Sequence, residues 1–378
     1  MKVSALQDNL SRGLSVVGRA VPARSTLPQA SHVKMETDQG RLKLVATDLM
    51  IATTCWIGAQ VEEEGGVTVP ARLLTDFVTS LPNDKIDMTV PARGRQLHIV
   101  CARNEATMSG MDAADFPPVP QVADGLSLTL DPKTLRKAIS QVQFAAAADD
   151  TRPVLTGVHT LAEGNELTLA AADGFRLAVH TLPLKQDVAE KVEIIIPARA
   201  LREVERLIAE EREPVEMSVN AARSQVMFRL PDVEIVATLI QGTFPNYGQL
   251  IPQSHTTKAT IDMKQFLQET RIAGIFARDG AGIVRLQLEP AEGEGAGKLT
   301  VSARAEEIGD HRGDIDVKVE GEASKIAFNS KYLHDVLQAL DDVSEVALET
   351  TSPSSPGVIR PIGDTGYVHV VMPMFVQW

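Results

Sequence analysis

Leu42-Lys-Leu-Val-Ala-Thr-Asp48 returns as Leu167-Thr-Leu-Ala-Ala-Ala-Asp173 and, shortened, as Leu299-Thr-Val-Ser-Ala303. The alternation at Leu167, Leu169 and Ala171 predicts a half-buried strand, and the small residues at its end predict a turn. An amphipathic helix precedes each stretch, over Leu6 to Val17, Pro132 to Val142 and Met263 to Ile275. A strand that hands over to a second helix follows each one: Val67-Thr-Val-Pro-Ala-Arg72, Ile194-Ile-Ile-Pro-Ala-Arg199 and Ile326-Ala-Phe-Asn-Ser-Lys331. The proline fits the first helical turn, where its missing N–H had no partner.

The offsets agree. Asp48 and Asp173 lie 125 residues apart, Pro70 and Pro197 127, Phe116 and Phe244 128, and Pro197 and Asn329 132. Matches in one order at a nearly fixed spacing mark an internal repeat. The 378 residues therefore divide into three α+β copies, over 1–127, 128–253 and 254–378. Phe116-Pro-Pro-Val-Pro120 and Phe244-Pro-Asn-Tyr247 to Thr257 are the connections, both too short for floppy tethers.

Charge narrows the function. The chain carries 37 Lys+Arg against 50 Asp+Glu, a net charge of −13, which argues against coating nucleic acid or membrane through overall charge. No third is basic: 12 basic and 14 acidic side chains in the first, 13 and 17 in the second, 12 and 19 in the third. Contact with nucleic acid must come from local placement. Helix faces supply it. Leu135, Ile139 and Val142 form an apolar stripe that leaves Lys133, Arg136 and Lys137 on the other side. Leu201, Val204 and Ile208 do the same for Arg199, Arg202 and Arg206, and Lys264 and Arg271 repeat the i, i+7 spacing, as Arg12 and Arg19 do less cleanly. Cations gathered on equivalent helices of an acidic chain suit a phosphate backbone. Ordinary solvated faces are the alternative for any single helix.

A catalytic constellation is not legible. The chain lacks HExxH, GxSxG and the Rossmann glycine pattern, and Gly293-Glu-Gly-Ala-Gly-Lys298 reads as a hairpin turn rather than a P-loop. His98, His159, His180 and His369 sit in strand-like stretches and read as structural. Asp149-Asp150 and Asp341-Asp342 read as solvated loop charges, with binding of a hard cation as the alternative. Cys55 and Cys101 make neither a disulfide framework nor a zinc site. No metal and no cofactor is expected. Asp8 and Arg12 interrupt the N-terminal apolar residues, which argues against a signal peptide. No apolar run approaches the ~18 residues that span a bilayer. The cytoplasm is the expected compartment, with no membrane contact.

With the repeat, the segments Arg24-Ser-Thr-Leu-Pro28, Ala46-Thr-Asp48, Thr68-Val-Pro-Ala-Arg72, Ala114-Asp-Phe-Pro117, Asp173-Gly-Phe-Arg-Leu-Ala-Val179, Phe244-Pro-Asn-Tyr247 and Val370-Val-Met-Pro-Met374 resemble the bacterial DNA polymerase III beta subunit, the sliding clamp. The resemblance runs the length of the chain. It implies three domains of the DNA clamp fold and a head-to-tail homodimeric ring, with helices lining a central hole and antiparallel sheets outside. It implies a non-enzymatic processivity factor that encircles duplex DNA without reading sequence and tethers the polymerase III alpha subunit, the clamp loader and other proteins with clamp-binding motifs. Arg24 and Arg152 match loop positions near the DNA. A partner-peptide pocket between the second and third domains would use Leu155, Ala172, Gly174, Phe175, Arg176, Leu177, Pro245, Gln249, Leu250, Val370, Met372, Pro373 and Met374. Two methionines around a proline suit such an adjustable apolar surface. Met108, Ile275 and Phe276 match ring-interface positions.

Several residues depart from the family pattern. Phe175 and Gln249 stand where His and Arg are common, Pro153-Val154 replaces an often aromatic pair, Ala106 replaces a larger residue, and Phe375-Val-Gln-Trp378 extends the apolar end. An accessory clamp paralogue, or a peptide-binding repeat scaffold that encircles no DNA, are the other readings these residues allow.

Overall fold

The computed structural model describes residues 1–22, 27–91, 94–293, 295–306 and 308–378. The first third runs β1 (Lys2–Leu6), α1 (Gln7–Val17), β2 (His32–Asp38), β3 (Arg41–Thr47), β4 (Ile51–Ile57), β5 (Gln60–Glu63), β6 (Gly66–Pro70), α2 (Ala71–Ser80), β7 (Lys85–Thr89), β8 (Gln96–Cys101) and β9 (Asn104–Ser109). The second runs β10 (Leu126–Leu130), α3 (Pro132–Val142), β11 (Gly157–Ala172), β12 (Arg176–Pro197), α4 (Ala198–Leu207), β13 (Val215–Val219), β14 (Gln225–Arg229) and β15 (Val233–Thr238). The last runs β16 (Thr257–Asp262), α5 (Met263–Arg278), β17 (Ile283–Glu289), β18 (Gly297–Ala305), β19 (Gly309–Gly321), β20 (Ser324–Asn329), α6 (Ser330–Ala339), β21 (Glu345–Thr350), β22 (Gly357–Pro361) and β23 (Tyr367–Val371).

The strand pairings repeat with the sequence. β1 pairs antiparallel with β7, β10 with β13, and β16 with β21. β8 then joins β9, as β14 joins β15 and β22 joins β23. His32 opposes Pro70 as Gly157 opposes Pro197, so the register of the repeat is kept as well as its order. β17 and β18 pair down to Glu289 opposite Lys298, which makes the glycine-rich stretch a hairpin connection.

Local chemistry explains the shared turns. Asp48 accepts from the N–H groups of Met50 (3.0 Å) and Ile51 (2.8 Å), and Asp173 accepts from those of Phe175 (2.9 Å) and Arg176 (3.0 Å). A short carboxylate that bonds its own backbone two or three residues on closes such a turn, which gives the recurring aspartate its task. Pro70 and Pro197 are the last residues of β6 and β12, one position earlier than a first helical turn. A strand end tolerates the missing donor equally well. α5 and α6 instead start at Asp262, which accepts from Gln265 N–H at 2.9 Å, and at Asn329, which accepts from Lys331 and Tyr332.

Packing divides the chain differently from the repeat. One compact unit holds Met1–Lys133 with Glu203–Leu239, and the other holds Thr134–Arg202 with Ile240–Trp378. The first contains a five-stranded sheet, β5-β1-β7-β8-β9, and an eight-stranded one, β10-β13-β14-β15-β4-β3-β2-β6. Its core gathers Leu10, Leu14, Leu44, Ile57, Val69, Leu74, Ile86 and Ile99. Gly13 lets α1 lie close on the sheet, since a Cβ there would stand 2.8 Å from Ile57 and Leu44. The second unit contains the ten-stranded sheet β11-β12-β23-β22-β21-β16-β19-β18-β17-β20. Each larger sheet thus joins strands from two sequence copies, through β4–β15 in one and β12–β23 in the other. Among the described residues no helix is long and apolar enough to cross a membrane.

Candidate functional site: helix cations and an apolar groove

The apolar stripes are buried as expected: Leu135, Ile139 and Val142 on α3, and Leu201, Val204 and, just past the end of α4, Ile208. The cations opposite them fall into two classes. Lys133, Arg136, Lys264 and Arg271 are exposed and, among the described residues, form no ion pair. Lys137 is half-buried, 2.8 Å from Asp364 and 3.9 Å from Asp342, and its hydrogen bond holds the Asp364 carboxyl below the usual carboxylate range. Arg206 is half-buried against Glu203 at 3.0 Å, and Arg202 donates to Gln143 at 3.3 Å. Arg199 is exposed. Arg152 donates to the Asp173 carbonyl at 2.8 Å. Arg24 lies outside the described residues.

In the second unit β12 and β23 pair so that Leu177 opposes Val370. Both are buried with Ala170, Val179, Val358 and Val368, and Ala172, Tyr247 and Ile251 pack against them. Leu155, Ile195 and Phe244 form a neighbouring cluster that shares Ala172 and Tyr247. The structure therefore brings Leu155, Ala172, Leu177 and Val370 into two apolar clusters that share Ala172 and Tyr247. Pro245, Gln249 and Leu250 are exposed on the connection, Gln249 and Leu250 within a 3-10 turn over Tyr247–Leu250. Gly174 takes φ +93°, and a Cβ there would meet the Arg152 guanidinium at 3.0 Å. Phe175 is 58% exposed and stacks on Tyr332 with ring centroids 6.3 Å apart. Its carbonyl accepts from Met372 N–H at 2.8 Å. Met372 is exposed, and Pro373 and Met374 are half-buried. Met374 N–H bonds the Ala327 carbonyl of β20, and Trp378 lies against Arg285 (6.0 Å) and Lys325 (5.8 Å), so the tail is tied to the β20 side of the sheet.

Arg176 has a different position from the other groove residues. Its side chain is only 5% exposed and is fully engaged: Asp173 at 3.0 Å, Asp335 at 2.7 Å and the Phe144 carbonyl at 2.8 Å. The guanidinium stands 4.5 Å from the Tyr332 ring centroid and 5.3 Å from that of Phe144. It braces the turn beneath Phe175, with each of its three nitrogens already donating. Sequence reasoning missed Tyr332, Asp335 and Phe144, which reach this point from distant parts of the chain without a local signal. It also left Tyr247 unassigned, although Phe244-Pro-Asn-Tyr247 had drawn attention to it. The Tyr247 hydroxyl, raised in pKa by burial, lies 3.4 Å from His159, whose other nitrogen meets Glu193 at 3.0 Å. Burial also pushes His180 down to about 4 and His369 down to about 3, so both are neutral structural groups near neutral pH.

Of the interface residues, Ile275 is 56% exposed, while Phe276 is half-buried and stacked on His311 at 6.0 Å. Met108 corrects the expectation: it is 4% exposed and belongs to the core of the first unit, because the alternation of β9 turns its side chain inward. What β9 does present is its outer backbone edge, since among the described residues only β8 pairs with it. Among the described residues no group of three or more His, Cys, Asp or Glu is placed to hold a metal ion. Asp149 and Asp150 are exposed, and Asp149 binds Thr151.

Comparison with known proteins gives a consistent picture. Residues 1–120, 129–246 and 248–375 match, in order, the N-terminal, central and C-terminal domains described for the DNA polymerase III beta subunit. A beta sliding clamp of Synechococcus elongatus is 32% identical over 377 residues, covering 99% of each chain. One of Staphylococcus aureus is 30% identical over 384 residues, again with 99% of each chain covered. Among solved structures, the DNA polymerase sliding clamp of Bacillus subtilis aligns with a TM-score of 0.93 at 27% identity, and a Pseudomonas aeruginosa sliding clamp bound to griselimycin with 0.90 at 27%, each covering 100% of both chains.

Proposed function

This chain belongs to the DNA polymerase III beta subunit family, and from that premise we propose that two copies close head to tail around duplex DNA as a sliding clamp. The observation that carries the ring is a missing junction. The first and second copies of the repeat are joined by β4–β15, the second and third by β12–β23. Each joint sets the last strand of one copy beside the corresponding early strand of the preceding copy. β9 is the last strand of the first copy, and the Gly309–Val317 part of β19 corresponds to β4; each has one unpaired edge. Paired between two chains, these edges complete the pattern. A heterologous contact that recurs in this way closes into a finite ring. Ile275 and Phe276, on α5 behind β19, are the side chains we assign beside the joint; α5 packs on β19 and β18.

The DNA contact follows from charge. Lys133, Arg136, Lys264 and Arg271 are free to meet phosphates, with Arg152, Arg199 and Arg202 beside them, and Lys137 and Arg206 serve first to hold the fold. Arg24 remains in the proposed set by resemblance. Contacts to phosphate alone are interchangeable along a duplex, so a closed ring slides and is retained by its topology. The groove over Leu155, Ala172, Leu177 and Val370, rimmed by Gly174, Phe175, Pro245, Gln249, Leu250, Met372, Pro373 and Met374, takes the peptide of the polymerase, the loader or another partner. Tethering holds the polymerase at high effective concentration near the primer end. The three clamp domains span 1–127, 128–253 and 254–378, the protein works in the cytoplasm, and it performs no reaction of its own.

The test combines mass and trapping. Sedimentation should give a dimer, and the loaded protein should stay on nicked circular DNA and leave once the circle is cut. A monomer at micromolar concentration that is never trapped on circles refutes the ring and favours a peptide-binding scaffold.

A further inference from the structure

The two joints built inside the chain fix the register of the one that the ring needs. At one end of β4–β15, Trp56 N–H donates to the Asp232 carbonyl at 2.9 Å, and at the other Thr238 N–H donates to that of Met50 at 2.8 Å. The same two bonds recur around β12–β23, from Thr181 to Gly366 and from Met372 to Phe175, each 2.8 Å. Between them Thr54 opposes Glu234 in one joint, and Val179 opposes Val368 in the other.

The third joint follows from pairings already made. β18 and β19 set Leu299 opposite Ile315, as β3 and β4 set Leu42 opposite Ile57 and β11 and β12 set Leu167 opposite Leu182. Arg312 therefore takes the place of Thr54 and Val179. On the other side, the turn Ala102-Arg103 between Cys101 and Asn104 matches Pro231-Asp232 between Leu230 and Val233, which puts Glu105 in the place of Glu234. The register then sets Glu105 opposite Arg312, Arg103 opposite Asp314 and Thr107 opposite Asp310, all six of them exposed. On the inner face the small Ala106 meets His311, whose ring is stacked on Phe276. The recurring end bonds become Asp314 N–H to the Arg103 carbonyl and Ser109 N–H to that of Ile308.

Opposite charges thus meet twice, and neither built joint carries such a pair at the place of Glu105 and Arg312. A slip of two residues would set Glu105 against Asp310 or Asp314, and a slip of one would turn Met108 out of its core. The surrounding charges leave the pair available. Glu105 has His98 at 3.5 Å and Arg312 has Asp314 at 3.6 Å, both long contacts of side chains that are 71% and 63% exposed. Asp310 has Arg304 opposite it on β18.

We propose that the ring joint is a β9–β19 ladder in this register, and that Glu105 of one chain against Arg312 of the other selects a second copy of this chain as the partner. The two built joints are held by chain connectivity. The third must be found through water, where complementary charge guides encounter and like charge rejects a wrong register or a foreign clamp chain. The inference rests on the reading that two copies close head to tail.

Two full-length variants test it, Glu105→Arg and Arg312→Glu, with circular dichroism to check that each is folded. A ring has two joints, so either variant alone would face like charge twice, whereas a ring with one chain of each would carry opposite charges at both joints. Sedimentation over a dilution series at low salt should show each variant dimerising about tenfold more weakly than the unchanged protein. An equimolar mixture should recover most of that loss, which two misfolded chains would not do. The register is overturned if either variant alone dimerises as tightly as the unchanged protein, or if the mixture is no tighter than its components. That result leaves the ring itself standing, whereas an unchanged protein that is monomeric at micromolar concentration overturns the ring and this joint together.

Discussion

Substituting Arg176 by alanine should destabilise the second unit and disturb the groove above it. The change removes the partner of Asp335 at 2.7 Å, one of the bonds to Asp173, and the donor to the Phe144 carbonyl. Breaking a buried ion pair from one side costs about 3–5 kcal/mol, because the other charge is left uncompensated. Asp335 is partly exposed and can recover water, and Asp173 keeps its two backbone donors, which places the expected loss near the lower limit, about 3 kcal/mol. For a body of this size ~1 kcal/mol moves the melting midpoint by about 2–4 °C, so a fall of about 6–12 °C is expected. Differential scanning calorimetry reads it directly. Arg176→Lys should recover only part of the loss, since an ammonium cannot reproduce the forked contacts to both carboxylates and the carbonyl. The same variants should bind a groove peptide more weakly even at temperatures where they remain folded, because Phe175 and Met372 hang from the turn that Arg176 braces. A midpoint within about 2 °C of the unchanged protein, well under the shift expected from ~3 kcal/mol, refutes this account of the guanidinium.

His180 and His369 are held neutral by burial, with pKa values near 4 and 3, below the ordinary histidine value. Their contribution is complete above about pH 6.5 and is lost as pH falls toward the folded values, so stability at pH 5 should drop by about 2 kcal/mol for each; unchanged urea midpoints between pH 7.5 and 5 would contradict this. Arg136→Ala and Arg271→Ala should each flatten the salt dependence of duplex binding by about 0.9 in log–log slope. Lys137→Ala should instead cost up to about 1 kcal/mol of stability, with little change in that slope; anisotropy titrations over a salt series separate the two, and equal slopes for all three variants would dismiss the division into free and paired cations. Ile275→Asp should give a folded monomer by sedimentation, and a persistent dimer would place the joint elsewhere.

Much of this protein was legible in the chain itself. The offset of 125 to 132 residues between matching segments determined the repeat, and the 3.6-residue spacing of Leu135, Ile139 and Val142 determined which face of α3 is buried. Both signals are local or strictly periodic, so a linear reading captures them. The tertiary structure alone decided which cations are free, because the partner of Lys137 is Asp364, more than 200 residues away. It alone showed that Arg176 is a brace between Asp173 and Asp335, that Met108 turns into a core, and that the larger sheets are shared between copies. It also set Glu234 opposite Thr54 and Val368 opposite Val179. Pairings of this kind depend on where distant strands and helices meet, and periodicity within one segment carries no information about its partner.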